Sequence, residues 1–144
     1  MSTLPPPSDR FRLQHEHLMG LAMEVGAQFD ATGKVADPDG CRRKLAAFAG
    51  ALRVHAAMEN EALYPRLLAH PTAEVSETAQ RLLDECGSLY DEFHAFLAEW
   101  PSADAIRGDA PRFARDCRRV FRKLAMRMTR ENETLYPLAD AHAA

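Results

Sequence analysis

A chain of 144 residues with 47% hydrophobic content is long enough for one domain with a continuous core. Its formal charge of −3, with an isoelectric point of about 6.1, excludes the global basic field that recruits nucleic acid. No stretch approaches about 18 uninterrupted apolar residues and the opening MSTLPPPSDR lacks an apolar signal core, so a cytoplasmic protein without membrane contact is expected.

Apolar residues recur at alternating spacings of three and four, the period of helices rather than strands, and breakers divide the chain into four long segments. The first is predicted from about Ser8 or Asp9 to about Asp30, with the seam Phe11, His15, Leu18, Ala22, Val25, Phe29. After ATGKVADPDG, Asp37 followed by Pro38 reads as a cap and first-turn proline. The second helix then runs to about His70 on the seam Cys41, Leu45, Phe48, Leu52, His55, Glu59, Ala62. Thr72 is the expected cap of a third helix ending near Trp100, with Leu82, Cys86, Leu89, Phe93 and Phe96 on its seam. PSADAIRGDAP is read as a loop, and Asp109 with Pro111 opens a fourth helix along Phe113, Cys117, Val120, Leu124, Arg127, Glu131, Thr134 and Leu138. Short connections favour antiparallel neighbours, so the expected fold is an all-α, up-down-up-down four-helix bundle over residues 9–141, preceded by a flexible arm at 1–8.

Ionisable side chains in a core are costly unless they pair or hold a metal, yet these seams include His15, His55, Glu59, Arg127 and Glu131. Counting 15 to 17 positions from each predicted turn puts His15, His55, Glu59, Cys86, Arg127 and Glu131 in one layer across the bundle. His55 and Glu59 are four apart and share a helix face, as do Arg127 and Glu131. Imidazole together with carboxylate suits iron, manganese or zinc. Three cysteines, Cys41, Cys86 and Cys117, are an odd number without CxxC spacing, which argues against a structural zinc knuckle or a disulfide framework, and reduced thiols are expected.

The motif E-N-E-x-L-Y-P occurs twice, at residues 59–65 and 131–137. His15 on the first helix, H-x-x-x-E before L-Y-P on the second, and the repeated motif on the fourth together resemble the hemerythrin-like (HHE cation-binding) family over about residues 9–140. The resemblance implies a four-helix bundle with a non-haem di-iron centre serving oxygen binding, oxygen or redox sensing, or nitric oxide and iron handling. His15, His55, Glu59 and Glu131 match family ligands, the two glutamates being those that bridge the irons. Two positions depart from the pattern: Cys86 stands where the third helix brings a histidine, and Arg127 replaces the histidine of the fourth. The ligand set of one iron is thus kept and that of the other lost.

Three outcomes follow. One metal is held by His15, His55, Glu59 and Glu131, with the Arg127 guanidinium in place of the second cation; or two metals are held with help from Cys86 and Tyr90; or none is held, and Arg127 pairs with both glutamates. One non-haem iron is favoured over two, with manganese or zinc as further options. The expected role is a sensor or binder of oxygen, nitric oxide, iron or redox state. The alternatives are an enzyme consuming peroxide or nitric oxide, or a metal-free interaction scaffold.

Other residues have plainer readings. Tyr64 and Tyr136 are expected to pack near the bundle ends, Tyr90 to pack beside Cys86, and His17, His70, His94 and His142 to lie outside the site. Most of the basic run Arg112, Arg115, Arg118, Arg119, Arg122, Lys123, Arg127 and Arg130 is expected to be a solvated face, docking of an acidic protein being the alternative.

Overall fold

A computed structural model describes residues 8–142, and all the regular structure among them is helical. Helix α1 spans Asp9–Gly26. Helix α2, Pro38–Met58, passes through a π turn at Glu59–Leu63 into α3, Tyr64–Leu68. Helices α4, Ala73–Cys86, and α5, Leu89–Glu99, are followed by the short α6, Ala103–Gly108. Helix α7, Ala110–Arg130, passes through a second π turn at Glu131–Leu135 into α8, Tyr136–Ala141.

The helices begin where the cap chemistry places them. The Asp37 carboxylate accepts from the Gly40 N–H at 3.1 Å, and that of Asp109 from the Arg112 N–H at 3.2 Å; each precedes a proline in the first turn, where a missing N–H costs nothing. Ser8 behaves differently from the expectation of an arm. It is fully buried, its N–H and hydroxyl both donate to Asp140 (3.0 and 2.7 Å), and its side chain does not cap α1. Residues 1–7 of the expected arm lie outside the described residues.

Helix α1 stops at Gly26, short of Asp30, because the chain turns back through a bridge between Phe29 and Val35. The Asp30 carboxylate there accepts from the Thr32 and Lys34 N–H groups at 2.8 and 3.1 Å. Gly33 in this turn has φ +82°, and a Cβ would stand 2.7 Å from the Pro111 backbone. The expected third helix is interrupted. At Gly87 a Cβ would lie 2.4 Å from the Leu83 carbonyl oxygen, so the tight turn that splits α4 from α5 needs glycine. Thr72 precedes α4 but makes no side-chain cap bond, and α6 occupies part of the expected loop, capped by Ser102.

The start of α1 meets the end of the chain, where Phe11 lies 6.0 Å from Tyr136; beyond the far end of α1, Phe29 lies 6.2 Å from Phe113. Two apolar clusters result. One holds Leu18, Leu45, Phe48, Phe93, Phe96, Trp100, Phe113 and Leu124, with Phe48 5.5 Å from Phe93. The other holds Phe11, Leu63, Tyr64, Val75, Leu82, Leu135 and Tyr136. His15, His55, Glu59, Arg127 and Glu131 are buried but belong to neither cluster. Among the described residues no helix is long and apolar enough to cross a membrane.

Candidate metal centre

Each element brings one or two polar groups to this buried layer. His15 comes from α1, His55 from α2, Glu59 from the first π turn, Arg127 from α7 and Glu131 from the second π turn. Ligand atoms of His15, His55, Glu59 and Glu131 all lie within 4.8 Å of one another. The Nε2 atoms of His15 and His55 face each other at 3.0 Å. His15 Nε2 is 3.2 Å from Glu131 Oε1, and His55 Nε2 is 3.1 Å from Glu59 Oε1.

The opposite ring nitrogens decide the protonation pattern. His15 Nδ1 lies 2.9 Å from the Asn132 amide oxygen and His55 Nδ1 lies 2.5 Å from that of Gln14. An amide oxygen only accepts, so both Nδ1 atoms carry protons, and a neutral imidazole then presents its lone pair at Nε2. Two lone pairs and two carboxylates pointing at one spot repel unless a cation or extra protons lie among them. Two imidazoles and two carboxylates match the donor preference of iron, manganese and zinc, so the residues fit a resident metal ion.

The outer edges of the carboxylates are also occupied. Tyr136 donates to Glu59 Oε2 at 2.9 Å and its hydroxyl is 3.1 Å from His15 Nε2. Tyr90 donates to Glu59 Oε1 at 3.0 Å, and Tyr64 to Glu131 Oε2 at 2.7 Å. The copies of the repeated motif therefore cross: the tyrosine of each bonds the glutamate of the other.

The π turns make this crossing possible. Residues five apart in an α-helix stand about 140° apart around the axis. In each π turn the tyrosine N–H bonds the carbonyl of the glutamate five residues back, so both side chains turn toward the site. Each turn ends just before Pro65 or Pro137, whose ring cannot pair with the carbonyl four residues earlier and would strike it in α geometry.

Arg127 occupies the side of the layer nearest α4. Its Nε is 3.5 Å from Glu131 Oε2, another guanidinium nitrogen is 4.0 Å from Glu59 Oε1, and the third donates to the Cys86 carbonyl at 3.1 Å. That carbonyl lies at the end of α4, where the helix break frees it from a continuing ladder. The guanidinium also lies over Tyr90, 4.4 Å from the ring centroid, and 5.7 Å from that of Tyr64.

These charges set the protonation of the neighbours. Burial opposes ionising Glu59, but in the metal-free site, where extra protons lie among these groups, hydrogen bonds from His55 and Glu131 and the charge of Arg127 outweigh it and hold the carboxyl down at about 2. Glu131 is pushed up, first by burial and then by the charge of Glu59, against the pull of His15 and Arg127. Burial and the adjacent glutamates raise Tyr64, Tyr90 and Tyr136, which stay protonated donors.

Cys86 enters through its backbone. Its thiol is outside the ligand cluster and is raised by burial, which disfavours thiolate, although Arg127 and Arg130 pull the other way. Tyr64 and Tyr136, expected near the bundle ends, instead stand in the site because the π turns re-aim them. Tyr90 uses its hydroxyl as well as packing. His17 and His94 are exposed, and His70 accepts from the Thr72 N–H at 3.0 Å and packs against His142. Gln14 and Asn132 flank the seams, so seam spacing does not reveal them; Asn132 is signalled by its place in the repeated E-N-E-x-L-Y-P motif and Gln14 only by its adjacency to His15. On the basic face, Arg112, Arg115 and Arg119 engage Asp116, Lys123 engages Glu92, and Arg130 engages Glu85.

A helical protein with a buried histidine–carboxylate cluster of this kind has a site that could hold a metal ion. The hemerythrin HHE cation-binding domain matches residues 7–139, and the chain belongs to that family. Neither a curated protein nor a solved structure gave a match.

Proposed function

We propose that this chain is an up-down-up-down, antiparallel four-helix hemerythrin-family bundle that holds one non-haem metal ion, iron by preference, and binds or senses a small diatomic ligand such as oxygen or nitric oxide. The observation that carries the one-metal reading is the position of Arg127. Its guanidinium is buried against both glutamates where the family pattern has a histidine, while His15 and His55 keep their lone pairs directed inward. The single-iron arrangement is thus supported by one intact imidazole pair and one fixed organic cation.

When bound, iron supplies coordination positions beyond the four protein donors, open to a small ligand. The residues supply the rest. Gln14 and Asn132 hold the imidazoles in one tautomer, and Tyr136 presents a hydroxyl at the edge of the cluster. Phe11, with its ring 6.1 Å from that of His55, helps to close the layer against water. The free thiols of Cys41, Cys86 and Cys117 support a reducing, cytoplasmic setting.

Elemental analysis of protein made in iron-supplemented cells tests the reading. About one iron per chain is expected, rising in Arg127→His, which restores an imidazole donor. Two irons per unaltered chain would overturn it. A metal-free product that keeps full helicity and does not take up metal would favour the scaffold, whose ion pairs Arg127 already provides.

A further inference from the structure

The geometry points to Arg127 as the residue that selects the charge of the metal: we propose that its guanidinium makes the site favour divalent over trivalent ions and so keeps bound iron ferrous. This rests on the one-metal reading above. The Arg127 side chain is 3% exposed and tied at three points, to Glu131, to Glu59 and to the Cys86 carbonyl, with Tyr90 and Tyr64 against its faces. It cannot swing into water to relieve repulsion, and a guanidinium does not give up its proton.

Charge summation then favours the lower oxidation state. Two carboxylates, two neutral imidazoles and one guanidinium carry a net −1, which a divalent ion turns to +1 and a trivalent ion to +2 in a buried layer. At an effective dielectric of about 20 and a separation of roughly 6 Å, one extra metal charge facing a fixed cation costs on the order of a hundredfold in affinity.

The carboxylates are weakened in the same direction. Tyr136 and Tyr90 donate to Glu59, and Tyr64 donates to Glu131, drawing electron density from both carboxylate groups, although only Tyr90 bonds an oxygen that faces the imidazoles. Hard, highly charged ions lose most from weakened oxygen donors. Cys86 offers no compensating anionic donor, because its thiol is outside the cluster.

The test is titration of metal-free protein with zinc(II) and with gallium(III), a redox-inert stand-in for ferric iron, in the unaltered chain, Arg127→Gln and Arg127→Lys. Arg127→Gln is expected to tighten gallium binding relative to zinc by about ten- to a hundredfold. Arg127→Lys, which keeps the charge, is expected to leave the ratio within about threefold. An unchanged ratio in the glutamine variant, or an equal change in both variants, overturns the charge-selection role and leaves the one-metal reading standing. Failure of the unaltered chain to bind either ion overturns that reading itself. If the glutamine variant does not fold, Mössbauer spectra of the iron-loaded, air-exposed unaltered protein decide. Ferrous iron supports the inference; ferric iron, with or without a visible phenolate-to-iron band, overturns it.

Discussion

A histidine becomes a useful ligand only when its other nitrogen is committed, and here two neutral amides perform that task. Gln14 and Asn132 accept the Nδ1 protons of His55 and His15, which leaves both Nε2 lone pairs on the inside of the layer. Gln14 also donates to the Met58 sulfur at 3.0 Å, which fixes its amide orientation. Replacing either amide by leucine keeps the volume but removes the acceptor. Gln14→Leu and Asn132→Leu are each expected to weaken zinc affinity by about ten- to a hundredfold with little change in helix content. Competition against a chromophoric chelator measures this; unchanged affinity in both variants would show that the imidazoles are oriented by packing alone. Arg127 is the other residue whose identity matters at this scale, since a neutral side chain would leave two carboxylates beside one another without a nearby cation.

Among the elements, the paired π turns do the most to build the site. Without them Tyr64 and Tyr136 would point well away from the glutamates five residues before them, and the crossed bonds could not form. Pro65→Ala, which removes the ring that forbids α pairing without changing the chain length, should let regular α geometry run through this region while Glu59 and Tyr64 stay five residues apart. The expected result is unchanged or higher far-ultraviolet helicity with metal uptake reduced at least about tenfold, because Tyr64 no longer satisfies Glu131. Full metal uptake in that variant would show that the tyrosine contacts are dispensable. The break between α4 and α5 has a similar local purpose: it supplies the Cys86 carbonyl that receives Arg127.

In the whole molecule, the polar layer lies between two apolar clusters, and stability and metal chemistry are therefore separable. Phe48 is fully buried, packs 4.5 Å from Phe121, and touches no member of the candidate site through a hydrogen bond or ring contact among the described residues. Phe48→Ala is expected to lower unfolding free energy by about 3–5 kcal/mol in urea titrations, with zinc affinity unchanged under conditions where the protein remains folded. A parallel loss of affinity would mean that core and site move together. This division also explains what the sequence reveals. The helical class and most helix starts are legible, because seam spacing, Asp37–Pro38 and Asp109–Pro111 are local signals. The convergence of His15, His55, Glu59 and Glu131 is visible from rise along straight helices, since they lie before or at the start of the π turns. The tyrosines are not visible that way, because a count that assumes α geometry puts them on the wrong face. Neither is the interruption at Gly87, where a seam of uninterrupted period hides a steric demand on one backbone atom.

The crossed tyrosine–glutamate bonds carry one more consequence. The segment through Leu68 holds Tyr64 and Glu59, and the segment from Ala73 holds Tyr136 and Glu131, so each half keeps the hydroxyl that the other half's carboxylate requires. A chain severed in the turn between Leu68 and Ala73 would yield fragments that each need the other to assemble this site, because only the later half brings Arg127 and only the earlier half His15 and His55.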